Sequence, residues 1–105
     1  VARILAVVSD LMLASRVSES LKAAGHEVTV VPALPDNPIE ADAIVCDLDS
    51  VDAAAVAATS IPSLGFYSHI DAATKQTAED AGITQAVPRS RMSRELPELI
   101  TKLLT

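Results

Sequence analysis

Tryptophan is missing from this chain, and its aromatic side chains amount to one Phe and one Tyr among 105 residues. The core must therefore be built from Ala, Val, Leu and Ile, and any recognition surface has few aromatic anchors to draw on. A single cysteine excludes an internal disulfide and a cysteine-based zinc site. The three glycines, at 25, 65 and 82, form no G-x-G pattern, so a Gly-rich phosphate loop is excluded. No Asp-x-His-x-x-Gly run marks a cobalamin ligand. The apolar run Ile4-Leu5-Ala6-Val7-Val8 is far shorter than the roughly 20 residues that span a bilayer. It is also short for a secretory signal, and no small-residue cleavage site follows it. We expect a cytoplasmic protein without membrane contact.

Positive charge is scarce too. Eight Lys and Arg stand against 14 Asp and Glu, for a net charge of −6. The imbalance sits in residues 1–85, which carry 4 basic and 12 acidic side chains. Such a body argues against general nucleic-acid binding, which depends on neutralising phosphates. Residues 86–105 are mildly basic, with Arg89, Arg91, Arg94 and Lys102 against Glu95 and Glu98.

What is present is a regular alternation. The apolar run at residues 4–8 is too short for a helix and reads as a buried strand. Ser9 and Asp10 offer helix caps. Leu11, Ala14, Val17, Leu21 and Ala24 then recur at helical spacing until Gly25 stops the helix. Residues 28–31 read as a second strand. Pro32, Pro35 and Pro38 exclude a full helix between 32 and 42. A third strand, Ala43-Ile44-Val45-Cys46, leads into Asp47 and Asp49. A helix is expected over 51–58, capped by Asp49 or Ser50. Further strands are expected over 61–66 and 83–87. Between them a helix over 72–81 is capped by Asp71 and ended by Gly82. Ser93 opens the last helix, where Leu96, Leu99, Ile100, Leu103 and Leu104 form a stripe. Pro97 implies a late start or a kink. The tetrads Val51-Asp52-Ala53-Ala54 and Ile70-Asp71-Ala72-Ala73 are alike and read as repeated capping chemistry. Short apolar strands alternating with helices imply an α/β fold, one domain over residues 1–105, with a parallel sheet covered on both faces.

Ligands of such sheets bind at the carboxyl ends of the strands. Asp10, Asp47 and Asp49 fall there, with Tyr67, Ser68, His69, Arg89 and Ser90. Acidic groups on neighbouring strand ends suit Mg²⁺, or a carboxylate that accepts a phosphoryl group. Asp10 and Asp49 read equally well as helix caps. Cys46 reads as core filling and His26 as a side chain at a helix end. Tyr67 is either a gate over Asp47 or a half-buried surface aromatic.

The order and spacing of these residues resemble the receiver domains of bacterial response regulators along nearly the whole chain. Ile4 to Asp10 resembles the first receiver strand and its acidic pair, with Ser9 in place of one acid. Asp42-Ala43-Ile44-Val45-Cys46-Asp47-Leu48 resembles the strand that ends in the phosphoacceptor, which assigns that role to Asp47. Tyr67 falls at the switch hydroxyl, with Ser68 one step later. Ala81-Gly82-Ile83 resembles the approach to the fifth strand, but Pro88-Arg89 replaces the expected Lys-Pro. The resemblance implies a doubly wound, flavodoxin-like five-stranded sheet in the order 2-1-3-4-5, with the second helix replaced by the Pro-rich loop. It implies a signalling and protein-interaction module whose phosphoacceptor activity is weakened or lost, a degenerate receiver. The alternatives are a working Mg²⁺-dependent phosphoacceptor and, more remotely, a small-molecule binder. Weak Mg²⁺ binding at Asp10, Asp47 and Asp49 is the one cofactor implied, and Arg89 is the substitute for the missing lysine. Pleating is expected to turn Arg89 to the other face. A protein partner or a second copy is expected at Phe66, Tyr67, Arg89, Arg91, Met92 and Arg94.

Overall fold

The first apolar run forms β1 (Arg3–Val7). After it come α1 (Leu11–Ala23), β2 (Glu27–Val31), β3 (Ala43–Asp47) and α2 (Ala53–Ala57). The chain continues through β4 (Ser63–Tyr67), α3 (Ala72–Ala81), β5 (Gln85–Pro88) and α4 (Arg89–Leu104). The computed structural model describes residues 2–36, 39–68 and 72–105. Its five strands pair in parallel in the order β2-β1-β3-β4-β5, as expected. The described part of the 32–42 connection contains no helix. Pro38, His69, Ile70 and the expected cap Asp71 lie outside the described residues.

Strand pleating divides the apolar residues between two cores. Ile4, Ala6, Ala43, Val45, Leu64, Phe66 and Val87 face α1 and α4, where they meet Leu13, Val17, Leu21, Met92, Leu96 and Ile100. Leu5, Val7, Ile44, Cys46, Tyr67 and Ala86 face α2, α3 and the proline loop, which supplies Leu34 and Ile39. Cys46 is core filling, and burial, helped by the neighbouring Asp47 charge, pushes its thiol up to about 12.

Four expectations need correction. The buried stripe of α1 is Leu13, Ala14, Val17 and Leu21, while Leu11 is 85% exposed and Ala24 is an exposed C-cap. With Asp10 as N-cap, Leu11 is the first helical residue and points away from the sheet. α2 begins at Ala53 and is capped by Asp52, whose Oδ1 accepts from Ala54 N–H at 3.1 Å. The expected caps Asp49 and Ser50 lie in a turn instead, where the Asp47 carbonyl accepts from Ser50 and Val51 N–H. α4 starts at Arg89 rather than Ser93 and is broken at Glu95 (φ −123°, ψ 16°). Pro97 has no N–H for the helical bond to Ser93, so the kink falls on its amino side. Finally, β2 is not covered on both faces: its residues are exposed or half-buried, because no helix follows it to lie over that edge.

Candidate functional site at the carboxyl edge of the sheet

Four strands deliver polar side chains to one edge, because each apolar run ends where the sheet meets water. Asp10 follows β1, and its Oδ1 accepts from Met12 and Leu13 N–H at 3.0 and 3.1 Å. That oxygen is committed to capping α1. Asp47 closes β3, hydrogen-bonded into the sheet beside Phe66. Its Oδ1 accepts from Asp49 N–H at 3.0 Å, which fixes the turn leaving the strand. The Oδ2 of Asp49 reaches across to β4 and accepts from Ser68 N–H at 3.1 Å. The Asp47, Asp49 and Ser68 positions are thus tied together by backbone donors.

Asp47 is half-buried and its carboxyl is raised above the usual aspartate range. Burial is the main cause. The Asp49 N–H opposes it, the Asp49 charge adds to it, Arg89 opposes it, and Asp10 adds a smaller rise. The Arg89 charge thus opposes the rise at Asp47, and the expectation that pleating would turn Arg89 away rested on strand geometry. The alternation of a strand does not apply, since Arg89 is already the first residue of α4. Among the described residues Arg89 forms no ion pair within 4.0 Å.

A hard divalent cation needs several converging oxygen ligands. Among the described residues no group of three His, Cys, Asp or Glu side chains converges in that way. Asp10, Asp47 and Asp49 each commit one carboxylate oxygen to a backbone N–H, which leaves each a second oxygen.

The expected contact face is also altered. Phe66, Tyr67 and Met92 are each 4% exposed or less and belong to the cores. β4 is a central strand covered on both sides, so its aromatics offer no anchor to a partner, and Tyr67 is not a surface aromatic. What remains at the surface is basic. Arg89 and Arg94 are exposed, and the half-buried Arg91 pairs with Glu95 at 3.4 Å. The sequence reading missed the exposed pair Leu11 and Met12 (76% exposed) beside Asp10. The signal was available: counting from Asp10 as the cap puts both off the buried stripe.

No protein-family profile matches this chain, and no curated protein matches it in sequence. Solved structures do match. The receiver domain of a Francisella response regulator superposes with a TM-score of 0.85 at 16% identity, covering 99% of this chain and 97% of that one. The ChxR receiver domain from Chlamydia trachomatis gives 0.73 at 19% identity, covering 99% and 98%. A response regulator protein from Burkholderia multivorans gives 0.73 at 24% identity, covering 98% and 94%. Together with the strand order and the Asp47 edge, these matches establish that the chain has the fold of the response-regulator receiver domains.

Proposed function

We propose that residues 1–105 act as one cytoplasmic receiver-like domain that binds a protein partner in signal transduction, and that its phosphoacceptor chemistry is weak. The observation that carries this reading is the state of the acidic edge. Phosphoryl transfer needs positive groups in place around the acceptor to neutralise the transferring oxygens. Here the Asp49 and Asp10 charges act against an ionised Asp47, and the Asp49 N–H and the Arg89 charge act in its favour. Ser9 contributes no charge, and one oxygen of Asp10 caps α1.

The partner-binding half of the reading rests on α4. Arg89 and Arg91 occupy the first turn of a helix with no acidic residue there and no side-chain cap. Cations at a helix amino end oppose its dipole, an effect of about 0.3–1 kcal/mol each. A local arrangement that costs stability points to use. Arg89, Arg91 and Arg94 suit an acidic protein surface.

Incubation with acetyl phosphate and Mg²⁺, followed by intact-mass measurement, tests the chemistry. We expect slow or no labelling, on the order of 10²–10³-fold below a receiver with its full set of charges. Rapid stoichiometric labelling that disappears in Asp47→Asn would instead make this a working phosphoacceptor.

A further inference from the structure

The two edges of the sheet are treated differently. At the β5 edge, the outward N–H of Ala86 is taken by the Glu79 carboxylate at 3.2 Å, and Pro88 ends the strand without a donor. At the β2 edge, Glu27 N–H donates to Ala2 and the Val31 carbonyl accepts from Val8 N–H. Residues 27, 29 and 31 therefore turn their backbone groups towards β1, and Val28 and Val30 turn theirs outward. Among the described residues nothing bonds to those outward groups. The strand is rich in β-branched residues, and Val30 is 40% exposed. Beside it lies an open cavity of about 640 Å³ lined by Lys22 of α1, Val28, Thr29 and Val31 of β2, and Pro35 and Ile39 of the loop. An open strand edge is a ready template for another strand.

We propose that β2 pairs with β2 of a second copy of this chain, antiparallel, about a two-fold axis at Thr29. The register carries the choice of occupant. Antiparallel pairing about Thr29 sets Val28 opposite Val30 of the other copy, and Val30 opposite Val28. These are the residues with free donors and acceptors, so each pair exchanges both of its bonds. Their side chains lie together on the α1 face, where Val28 is already packed against the core. Thr29 meets its own counterpart on the opposite face. Glu27 falls opposite Val31, so no like charges oppose each other, and Val–Val and Thr–Thr neighbours are favourable cross-strand pairs. The contact is isologous and closes, giving a ten-stranded sheet and no fibre. The covered β5 edge keeps the sheet from growing at its other end.

The test is oxidative cross-linking together with sedimentation. Across the axis, Thr29 and its counterpart form a non-hydrogen-bonded pair, with Cα atoms about 4.5 Å apart, within disulfide range. Thr29→Cys is expected to give a disulfide dimer at least about tenfold faster than Val30→Cys, whose counterpart lies diagonally beyond reach. Native Cys46 is fully buried and supplies the background. Sedimentation of the 105-residue chain from about 1 µM to about 1 mM is expected to show a monomer–dimer equilibrium, weakened about tenfold or more by Val30→Pro, which deletes an outward donor. A monomer across that range overturns the proposal. So does equal cross-linking of the two cysteine variants, or a dimer that Arg91→Cys traps in their place. A monomer whose β2 edge accepts an unrelated extended peptide also overturns it. Should Val30→Pro fail to fold, the cysteine comparison decides alone.

Discussion

Asp47 is the residue on which the chemistry turns, and its titration has a consequence for stability. Burial lifts its carboxyl above the ordinary value of 3.8. The folded protein therefore holds this proton to a higher pH than the unfolded chain does. Stability attributable to Asp47 falls as pH rises from the unfolded value through the raised folded value, and stays lower above it. Asp47→Asn is isosteric and keeps the oxygen that accepts from Asp49 N–H. Its melting temperature is expected to exceed wild type at pH 7 and to match it near pH 3, measured by circular dichroism. A variant less stable than wild type at pH 7 would contradict this account of the site. Arg89 is the opposing charge, so Arg89→Gln is expected to raise the Asp47 carboxyl further. A carboxyl-carbon NMR titration reads this directly, and an unmoved or lowered midpoint would remove Arg89 from the site. Of these relations the sequence showed the acids and the nearby arginine. It did not show that Asp10 and Asp49 would be occupied by backbone donors, because that depends on which turn each strand enters.

At the scale of elements, local chemistry placed most boundaries. Asp10 caps α1 as expected, and Gly25 and Gly82 both take positive φ, at 94° and 113°. The two glycines are not equivalent. A Cβ at Gly25 would meet open space, whereas one at Gly82 would sit 2.8 Å from the Ala57 Cβ. Gly82 thus permits both the end of α3 and its close approach to α2. Gly25→Ala is expected to cost about 1 kcal/mol in backbone strain. Gly82→Ala adds a steric clash and is expected to cost about 2–4 kcal/mol. Urea unfolding of the two variants checks the difference, and equal losses would mean that the α2–α3 approach is slack. The misplaced elements share a cause. α2 and α4 begin where three or more residues could serve as a cap or first turn. The competing turn bonds of the Asp47 carbonyl, and the continuation of β5 directly into α4, settle positions that propensity left open.

For the molecule as a whole, charge and exposure matter most. A chain of net charge −6 folded into 33 × 30 × 28 Å repels itself. Added salt is expected to raise the melting temperature by a few degrees up to roughly 0.2 M, as the Debye length falls below about 8 Å. Scanning calorimetry measures this, and a fall in melting temperature with salt would show that attractive pairs such as Arg91–Glu95 outweigh the repulsion. Among the described residues no helix is long and apolar enough to cross a membrane. The sequence by itself determined the alternation of strands and helices, the proline-rich connection after β2, and the polar residues that follow the strands. These follow from periodicity and backbone chemistry, which act over a few neighbouring residues. Only the tertiary structure decided that Phe66, Tyr67 and Met92 are core, that β2 lies at the edge of the sheet, and that Arg89 opens α4 rather than extending β5. Each depends on which strands are neighbours and which faces are covered, and contacts between residues far apart in the chain leave no trace in the local pattern.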